Sequence, residues 1–442
     1  MKKIIFLLIS ILSFVANQLF SQKKIDAYFD HLFNNKKMMG SVAISYKDSI
    51  IYSKSIGFAN AETKRMNNEN TKFRVGSITK TYTSVLILKA IEEQKLQLET
   101  KLSSYYPRIE NAEKISIEHL LKNRSGLYNF TNKDGLADWQ KDYHTENDFI
   151  NYILREKNSF EPGTEYEYSN TNYVLLGFIL EKIYNKSFSE ILQEKIAIPL
   201  HLKNTYFSFE TDETKNEALS YNIQDFYLRN EKVNFSNHPA SGGIASTPKE
   251  LNQFISALFT GKLISAKSLE IMLPKKGGDY GLGIMRLNFD DIEGYNHSGR
   301  VENYISDYWY FPKQKLGLVC LANAVNIDTN EVMKTLLHAA YHKSPVLPDF
   351  NIIEGFPESE FRKMMGTYTT DQKEDKITIS SDGKNLIFQA SQAGQDYVPF
   401  EYKGESTFEY DNIKLVFVTG TQEIYFEQDQ SKKVYTKNKE SV

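Results

Sequence analysis

The stretch Phe73-Arg74-Val75-Gly76-Ser77-Ile78-Thr79-Lys80-Thr81-Tyr82 constrains the fold of this chain more than any other. Downstream, apolar residues at Ile78, Tyr82, Val85, Leu86, Leu88 and Ile91 predict a helix from Ser77 to roughly Glu92. They cover much of the helix surface, so the helix is expected to be buried. Upstream, Gly40 to Tyr46 and Ile50 to Gly57 read as the two strands of a hairpin. Ser77 then stands where free backbone N–H groups and the positive end of the helix dipole gather. Lys80 lies three residues on and projects from the same face. A hydroxyl and an amine held together in low dielectric can make a nucleophile without a histidine. Taken alone the pair is weak. Ser-x-x-Lys recurs at Ser21/Lys24, Ser246/Lys249 and Ser381/Lys384, and a serine before a helix is usually a cap.

At 442 residues the chain exceeds one compact core, which predicts two domains. The net charge of −3 gives no reason to expect nucleic acid or an acidic membrane surface as a partner. Lys2 and Lys3 followed by the largely apolar run Ile4 to Ala16 read as a signal peptide over residues 1–21, too short for a membrane span. The only cysteine is Cys320, so no disulfide is available. Export without disulfides points to the bacterial envelope, periplasmic or secreted.

Farther along, Lys23 to Lys37 reads as a helix, and Ser125-Gly126-Leu127 as a turn. Pro162-Gly163 turns the chain into Tyr168-Ser169-Asn170, from which a helix continues through Tyr173, Val174, Leu176, Ile179, Leu180 and Ile183. Tyr168 and Asn170 therefore sit on a loop entering a helix, a common place to present functional groups. Strands follow over Gly294 to His297, Tyr304 to Phe311 and Leu316 to Ala322, in a group opened by Tyr280-Gly281-Leu282-Gly283, then a last helix over Thr329 to His342. This order predicts an α/β (α+β) domain over 22–343. Its antiparallel sheet has an edge made by N- and C-terminal parts together and is flanked by helices. Residues 344–359, with Ser344-Pro345-Val346-Leu347-Pro348, read as a linker, and 360–442 as a small all-β domain.

Three motifs in one order carry more than any one of them: Ser77-x-x-Lys80, Tyr168-Ser169-Asn170 and His297-Ser298-Gly299. Together they resemble the serine β-lactamase and penicillin-binding-protein superfamily, in its class C-like branch with Tyr-x-Asn. The resemblance spans about residues 25 to 343. It extends to Phe73 to Ser77, His119-Leu120-Leu121, Ser125 to Leu127, Pro162-Gly163, Tyr173-x-Leu175-Leu176-Gly177, Gly242-Gly243 and Tyr280 to Gly283. Residues 360–442 resemble an appended lipocalin-like domain. The resemblance implies a β-lactamase/transpeptidase-like fold and acyl transfer through a covalent acyl-enzyme. Ser77 would attack, and Lys80 and Tyr168 would share the proton transfers, Lys80 lowered in pKa by burial and Tyr168 by the nearby ammonium. Asn170 would bind the substrate amide and orient Lys80, and His297, Ser298, Gly299 and Arg300 would line the substrate strand. The N–H groups of Ser77 and Arg300 would form the oxyanion hole. His297 departs from the lysine of many β-lactamases and carboxypeptidases, which leaves Arg300 as the expected source of positive charge.

The expected substrate is a small molecule or a peptidoglycan-derived D-amino-acid peptide, a β-lactam or an ester, with no metal or organic cofactor. The sequence says nothing of oligomeric state. An α/β-hydrolase would need Gly-x-Ser-x-Gly, which is absent. His338 and His342 lack the glutamate of a zinc hydrolase, since Ala339 follows His338. The alternative outside enzymes is a non-catalytic, penicillin-binding-like envelope protein that keeps the fold.

Overall fold

A computed structural model describes residues 22–438 apart from 133–134, 224–225, 276, 371–375, 391–396, 411–412, 419 and 429–430. The signal peptide read at 1–21 lies outside the described residues. The chain divides into two compact units. One comprises Gly40–Ser220 and Glu231–Asn323; the other comprises the described residues of Met1–Met39, Tyr221–Asn230 and Ala324–Val442.

Helix α1 (22–34) buries Ile25, Tyr28, Phe29 and Leu32, and stops short of the expected Lys37 because Lys36 takes a positive φ of 52°. Strands β1 (Met38–Tyr46) and β2 (Ser49–Ile56) form the expected hairpin. Lys47 and Asp48, both at positive φ, supply its two-residue turn. A meander of four strands comes later: β3 (Met285–Phe289), β4 (Ile292–Val301), β5 (Tyr304–Phe311) and β6 (Leu316–Val325). The sheet order is β3-β4-β5-β6-β1-β2. The N- and C-terminal parts thus join inside the sheet, at β6 and β1, and not at an edge. Burial explains the position: all ten residues of β6 and all but the last of β1 are covered. At the seam a Cβ on Gly40 would lie 2.4 Å from the carbonyl oxygen of Leu321.

Helix α2 (Thr79–Glu92) is buried on nearly every side, as its apolar pattern predicts, but it starts two residues later than expected. Gly76–Ile78 forms a 3₁₀ turn ahead of it. Helix α3 (Asn170–Tyr184) packs in the same apolar core and ends at Asn185 in a left-handed conformation. Helices α4 (Pro248–Phe259) and α5 (Thr329–Ala340) start on side-chain caps from Thr247 and Asp328.

Beyond a short helix, α6 (Glu358–Met364), eight strands close into a barrel: β7 (Gly366–Thr369), β8 (Lys376–Ser381), β9 (Leu386–Ala390), β10 (Tyr397–Gly404), β11 (Thr407–Tyr410), β12 (Ile413–Phe417), β13 (Glu423–Gln428) and β14 (Ser431–Lys437). Each strand pairs with the next, and β14 returns to β7. Ile377, Ile379, Phe388, Phe400, Phe408 and Leu415 meet in its interior.

Candidate active site

The turn that carries Ser77 is shaped by its neighbours. Phe73–Arg74 pairs with Ile244–Ser246, which also holds Tyr206–Phe207. The chain then turns through Gly76 at φ +48° and presents Ser77 in the 3₁₀ turn. Ser77 caps neither that turn nor α2, so its hydroxyl is not spent on the backbone. Strand β3 pairs with β4 only as far as Met285 opposite Asn296, leaving residues 297–301 unpaired by β3 along that edge. The turn lies against this edge. A Cβ on Gly76 would stand 2.6 Å from the Arg300 nitrogen, and one on Gly299 would stand 2.2 Å from the Val75 oxygen and 2.8 Å from the Ser77 nitrogen. Two facing glycines permit the approach, and Ser306 Oγ fixes it by donating to the Val75 carbonyl at 2.7 Å.

Lys80 is fully buried one turn into the interior. Its Nζ donates to Ser77 Oγ at 3.0 Å, Asn170 Oδ1 at 2.7 Å and the Ser241 carbonyl at 2.8 Å. As an ammonium it has an uncharged acceptor for each N–H; as the neutral amine it keeps the donations to Asn170 and Ser241 and turns its lone pair to the Ser77 hydroxyl, which then donates. Burial holds the Lys80 pKa well below the usual lysine range. Its Nζ also lies 4.9 Å from the centre of the Tyr168 ring.

Tyr168 behaves differently from expectation. Its phenol is raised above the ordinary tyrosine value, burial being the larger cause and a side-chain hydrogen bond with Ser77 the opposing one. The anticipated lowering by a neighbouring ammonium is absent, because desolvation of the phenolate dominates.

Asn170 begins α3, with Ser169 as the residue before the helix. While Oδ1 accepts from Lys80, Nδ2 donates to Thr131 Oγ1 at 3.1 Å. Asn129 Oδ1 accepts the Asn170 N–H at 3.0 Å, and Asn123 Oδ1 accepts from Ser169 N at 3.3 Å and Asn172 Nδ2 at 3.0 Å. Ser125 Oγ completes the ladder on Asn172 Oδ1 at 2.5 Å. The turn at Ser125 to Leu127 therefore leads into the loop that staples the Tyr-x-Asn segment in place.

On β4, His297 is buried, Ser298 exposed, Gly299 buried and Arg300 half-buried. His297 Nδ1 donates to the Ser298 carbonyl at 2.6 Å, and Nε2 lies 3.5 Å from the Tyr280 hydroxyl. Burial, then the charge of Lys80, pushes its pKa down to about 4. The imidazole is neutral at neutral pH and supplies no positive charge.

Sequence reasoning missed several members. The Ser241 carbonyl, Asn129 and Thr131 hold Lys80 and Asn170. His238 is buried, with its pKa lowered to about 3 by burial and by Lys80. Arg74 forms a buried ion pair with Glu217 at 2.8 Å and donates to the Gly243 carbonyl at 2.9 Å, two residues from the Lys80 acceptor. Gly242-Gly243 was the visible signal of this neighbourhood: a Cβ on Gly243 would meet the Phe207 ring at 2.5 Å.

Residues 25–342 match the family model described as Beta-lactamase. Protein flp of Staphylococcus aureus (strain MRSA252) is 27% identical over 335 residues, 72% of this chain and 65% of that protein. Teichoic acid D-alanine hydrolase from the same strain is 29% identical over 257 residues, 58% of this chain and 62% of that protein. The chain thus spans a little under two thirds of the length of these curated relatives. The crystal structure of D-amino acid amidase from Ochrobactrum anthropi SV3 with D-phenylalanine superposes with a TM-score of 0.66 at 22% identity, covering 73% of this chain and 99% of that one. The octameric penicillin-binding protein homologue from Pyrococcus abyssi gives a TM-score of 0.66 at 22% identity, covering 94% of this chain and 99% of that one. These two likenesses are of fold, and the second extends well past the residues of the family match.

Proposed function

The chain belongs to the beta-lactamase family, and from that premise we propose that it hydrolyses acyl bonds to D-amino acids, ester or amide, through an acyl-enzyme on Ser77. One observation carries the reading: Lys80 Nζ stands 3.0 Å from Ser77 Oγ, buried, with uncharged acceptors only. A carboxylate partner would keep the amine protonated; its absence from these contacts favours the neutral base. The choice of D-amino-acid substrates rests on relatives and neighbours named as D-alanine hydrolase and D-amino acid amidase.

The proton path follows from the two opposite pKa directions. Neutral Lys80 takes the Ser77 proton as Oγ attacks the carbonyl carbon. The oxyanion lies between the N–H groups of Ser77 and Arg300, where each donor is worth roughly 10²–10³ in rate. Tyr168, kept as the neutral phenol, gives its proton to the departing alcohol or amine and regains one from the Lys80 ammonium. Water then repeats the sequence in reverse and frees Ser77. Asn170 orients Lys80 throughout. With His297 neutral, a substrate carboxylate would rely on Arg300, which weakens the case for an efficient β-lactamase of class C type. Export to the bacterial envelope is part of the same proposal and rests on the sequence of residues 1–21.

A fluorophosphonate or labelled penicillin tests the reading. The expected result is a mass gain on the wild type and none on Ser77→Ala. No gain on either protein would sink the enzyme and leave a non-catalytic binder.

A further inference from the structure

Arg74, in the short strand that leads into the Ser77 turn, is only 1% exposed. One terminal nitrogen of its guanidinium donates to the carbonyls of Ser208 at 3.1 Å and Gly243 at 2.9 Å. The other reaches Ser208 Oγ at 3.0 Å, the Glu210 carbonyl at 2.6 Å and the Glu217 carboxylate at 2.8 Å. Tyr206 donates to the second Glu217 oxygen at 2.5 Å, and the Phe235 ring centre lies 4.1 Å from the guanidinium carbon. A buried ion pair is a poor source of stability, because desolvating both ions offsets their attraction and an apolar pair of similar volume does as well. What a planar guanidinium gives in their place is fixed direction.

The segment it directs is Ala240 to Ile244, whose Gly242-Gly243 has no side chain to hold it. This segment is laid along the start of α2. Thr83 Oγ1 donates to the Ala240 carbonyl at 2.7 Å, Lys80 Nζ to the Ser241 carbonyl at 2.8 Å, and the Ile244 N–H to Thr79 Oγ1 at 3.2 Å. Arg74 adds the bond to the Gly243 carbonyl, while its own backbone pairs opposite Ala245. One residue thus ties the strand entering the Ser77 turn to the carbonyl two places from the acceptor of Lys80. Lys80 donates to that acceptor both as amine and as ammonium, but a charged donor bonds about twice as strongly. The Ser241 carbonyl therefore stabilises the ammonium that forms during attack more than the amine that precedes it.

We propose that Arg74, held by Glu217, is a positioning residue for acylation: through the Gly243 carbonyl it aims the Ser241 carbonyl at Lys80. The proposal rests on the reading of Lys80 as the base of an acyl-enzyme reaction. Arg74 acts through that carbonyl and not on the reacting atoms. Losing the aim removes one acceptor from the ammonium, so the acylation rate and the Lys80 pKa fall together. Tyr168, Tyr173, His238 and His297 also face Lys80. Arg74 bonds to none of their side chains, so an acid limb that moves with Arg74 is the limb of Lys80.

The test is single-turnover acylation by N-acetyl-D-alanine p-nitrophenyl ester, which has no amine or carboxylate to titrate, followed against pH. Arg74→Lys keeps the charge beside Glu217 but has no fork to reach the Gly243 carbonyl as well. The double variant Arg74→Met with Glu217→Leu removes both ions and leaves neither buried alone. In each, the acylation constant should fall about tenfold and the acid limb should move down by about one pH unit. The substrate dissociation constant should stay within about twofold. An unchanged constant, or slower acylation with a limb that stays or rises, would overturn the positioning role and leave Arg74 a structural residue. Failure of both variants to fold would make the pair a folding element and overturn it equally. Fluorophosphonate labelling of Ser77 keeps the two readings apart: labelled variants with unchanged acylation remove the role of Arg74 alone, and an unlabelled wild type removes the acyl-enzyme.

Discussion

The barrel interior and the first turns of α2 bury opposite kinds of side chain. In the barrel, Phe400, Phe408, Leu415 and Ile424 are fully covered, and the strands alternate as β8 does, one residue in and one out. Around α2, Thr79, Lys80, Thr81, Thr83 and Ser84 are equally covered, and Arg74 lies buried just ahead. Each of the latter needs named partners: Thr83 Oγ1 donates to the Ala240 carbonyl at 2.7 Å, and Arg74 reaches Ser208, Glu210 and Glu217. An apolar core is held by area and shape, and tolerates exchange of similar volumes. A buried polar network is held by direction, and leaves an orphaned group when one member goes. The contrast separates what keeps this protein folded from what lets it react.

The sharpest break should come at Lys80. Lys80→Met keeps length and bulk but removes the proposed base, so kcat should fall by about 10³ or more. Single-turnover acylation of Ser77 measures it. A variant that retained acylation would move the base to Tyr168 and undo the distinction drawn from their opposite pKa directions.

Phe408→Ala tests the other half. It empties a fully buried ring from the barrel core and should cost about 3–5 kcal/mol of unfolding free energy by denaturant titration. Turnover per folded molecule should stay within about twofold, an effect near the noise of mutant kinetics. A large kcat change there would mean that the barrel takes part in catalysis.

Gly299→Ala probes the seam between strand and turn. Its Cβ has nowhere to go between the Val75 oxygen and the Ser77 nitrogen. Displacing the turn by a fraction of an ångström should cost about 10² in kcat/KM. Arg300→Ala, beside it, should raise KM several-fold for substrates with a free carboxylate, about what a partly exposed charge contributes. Neutral esters should be unaffected, and an equal effect on them would remove Arg300 from carboxylate binding.

The same contrast decides how much could be read beforehand. Ser77, Lys80, Tyr168 and Asn170 announce themselves because each role demands a particular side chain at a particular spacing, and the structure brings them within contact. The Ser241 carbonyl does equal service to Lys80, but a backbone oxygen has no residue identity and leaves no trace in the pattern. Asn129 and Thr131 look like ordinary loop residues until α3 is folded over them. In the barrel, β10 alternates Val398, Phe400 and Tyr402 with Pro399, Glu401 and Lys403, but a proline inside the run argues against a strand until the pairing is seen. The joining of β6 to β1 inside the sheet, and not at an edge, is a long-range pairing that local pattern cannot specify.

The smallest predicted effect is a slope. The Lys80 pKa is lowered in the folded state, against about 10.4 when unfolded. Between those values the unfolded chain holds a proton that the native chain has lost, so stability rises with pH across that window. Below the folded pKa both states are protonated and the contribution is flat, the native state carrying the full penalty of a buried ammonium. Each unit of lowering is worth about 1.4 kcal/mol. The raised phenols of Tyr168 and Tyr173 act in the opposite sense only above about pH 10, where unfolded tyrosine ionises, so the two effects separate. Urea titrations of wild type and Lys80→Met, stepped upward from neutral pH to about pH 9.5, isolate the lysine. The wild type should gain stability relative to the variant over that span, and the acid limb of its kcat/KM should fall at the same lowered pKa. If the two stability curves run parallel although the wild type keeps an acid limb, that limb belongs to another group, and the neutral base lies elsewhere in the network that Ser77, Tyr168 and Asn170 share.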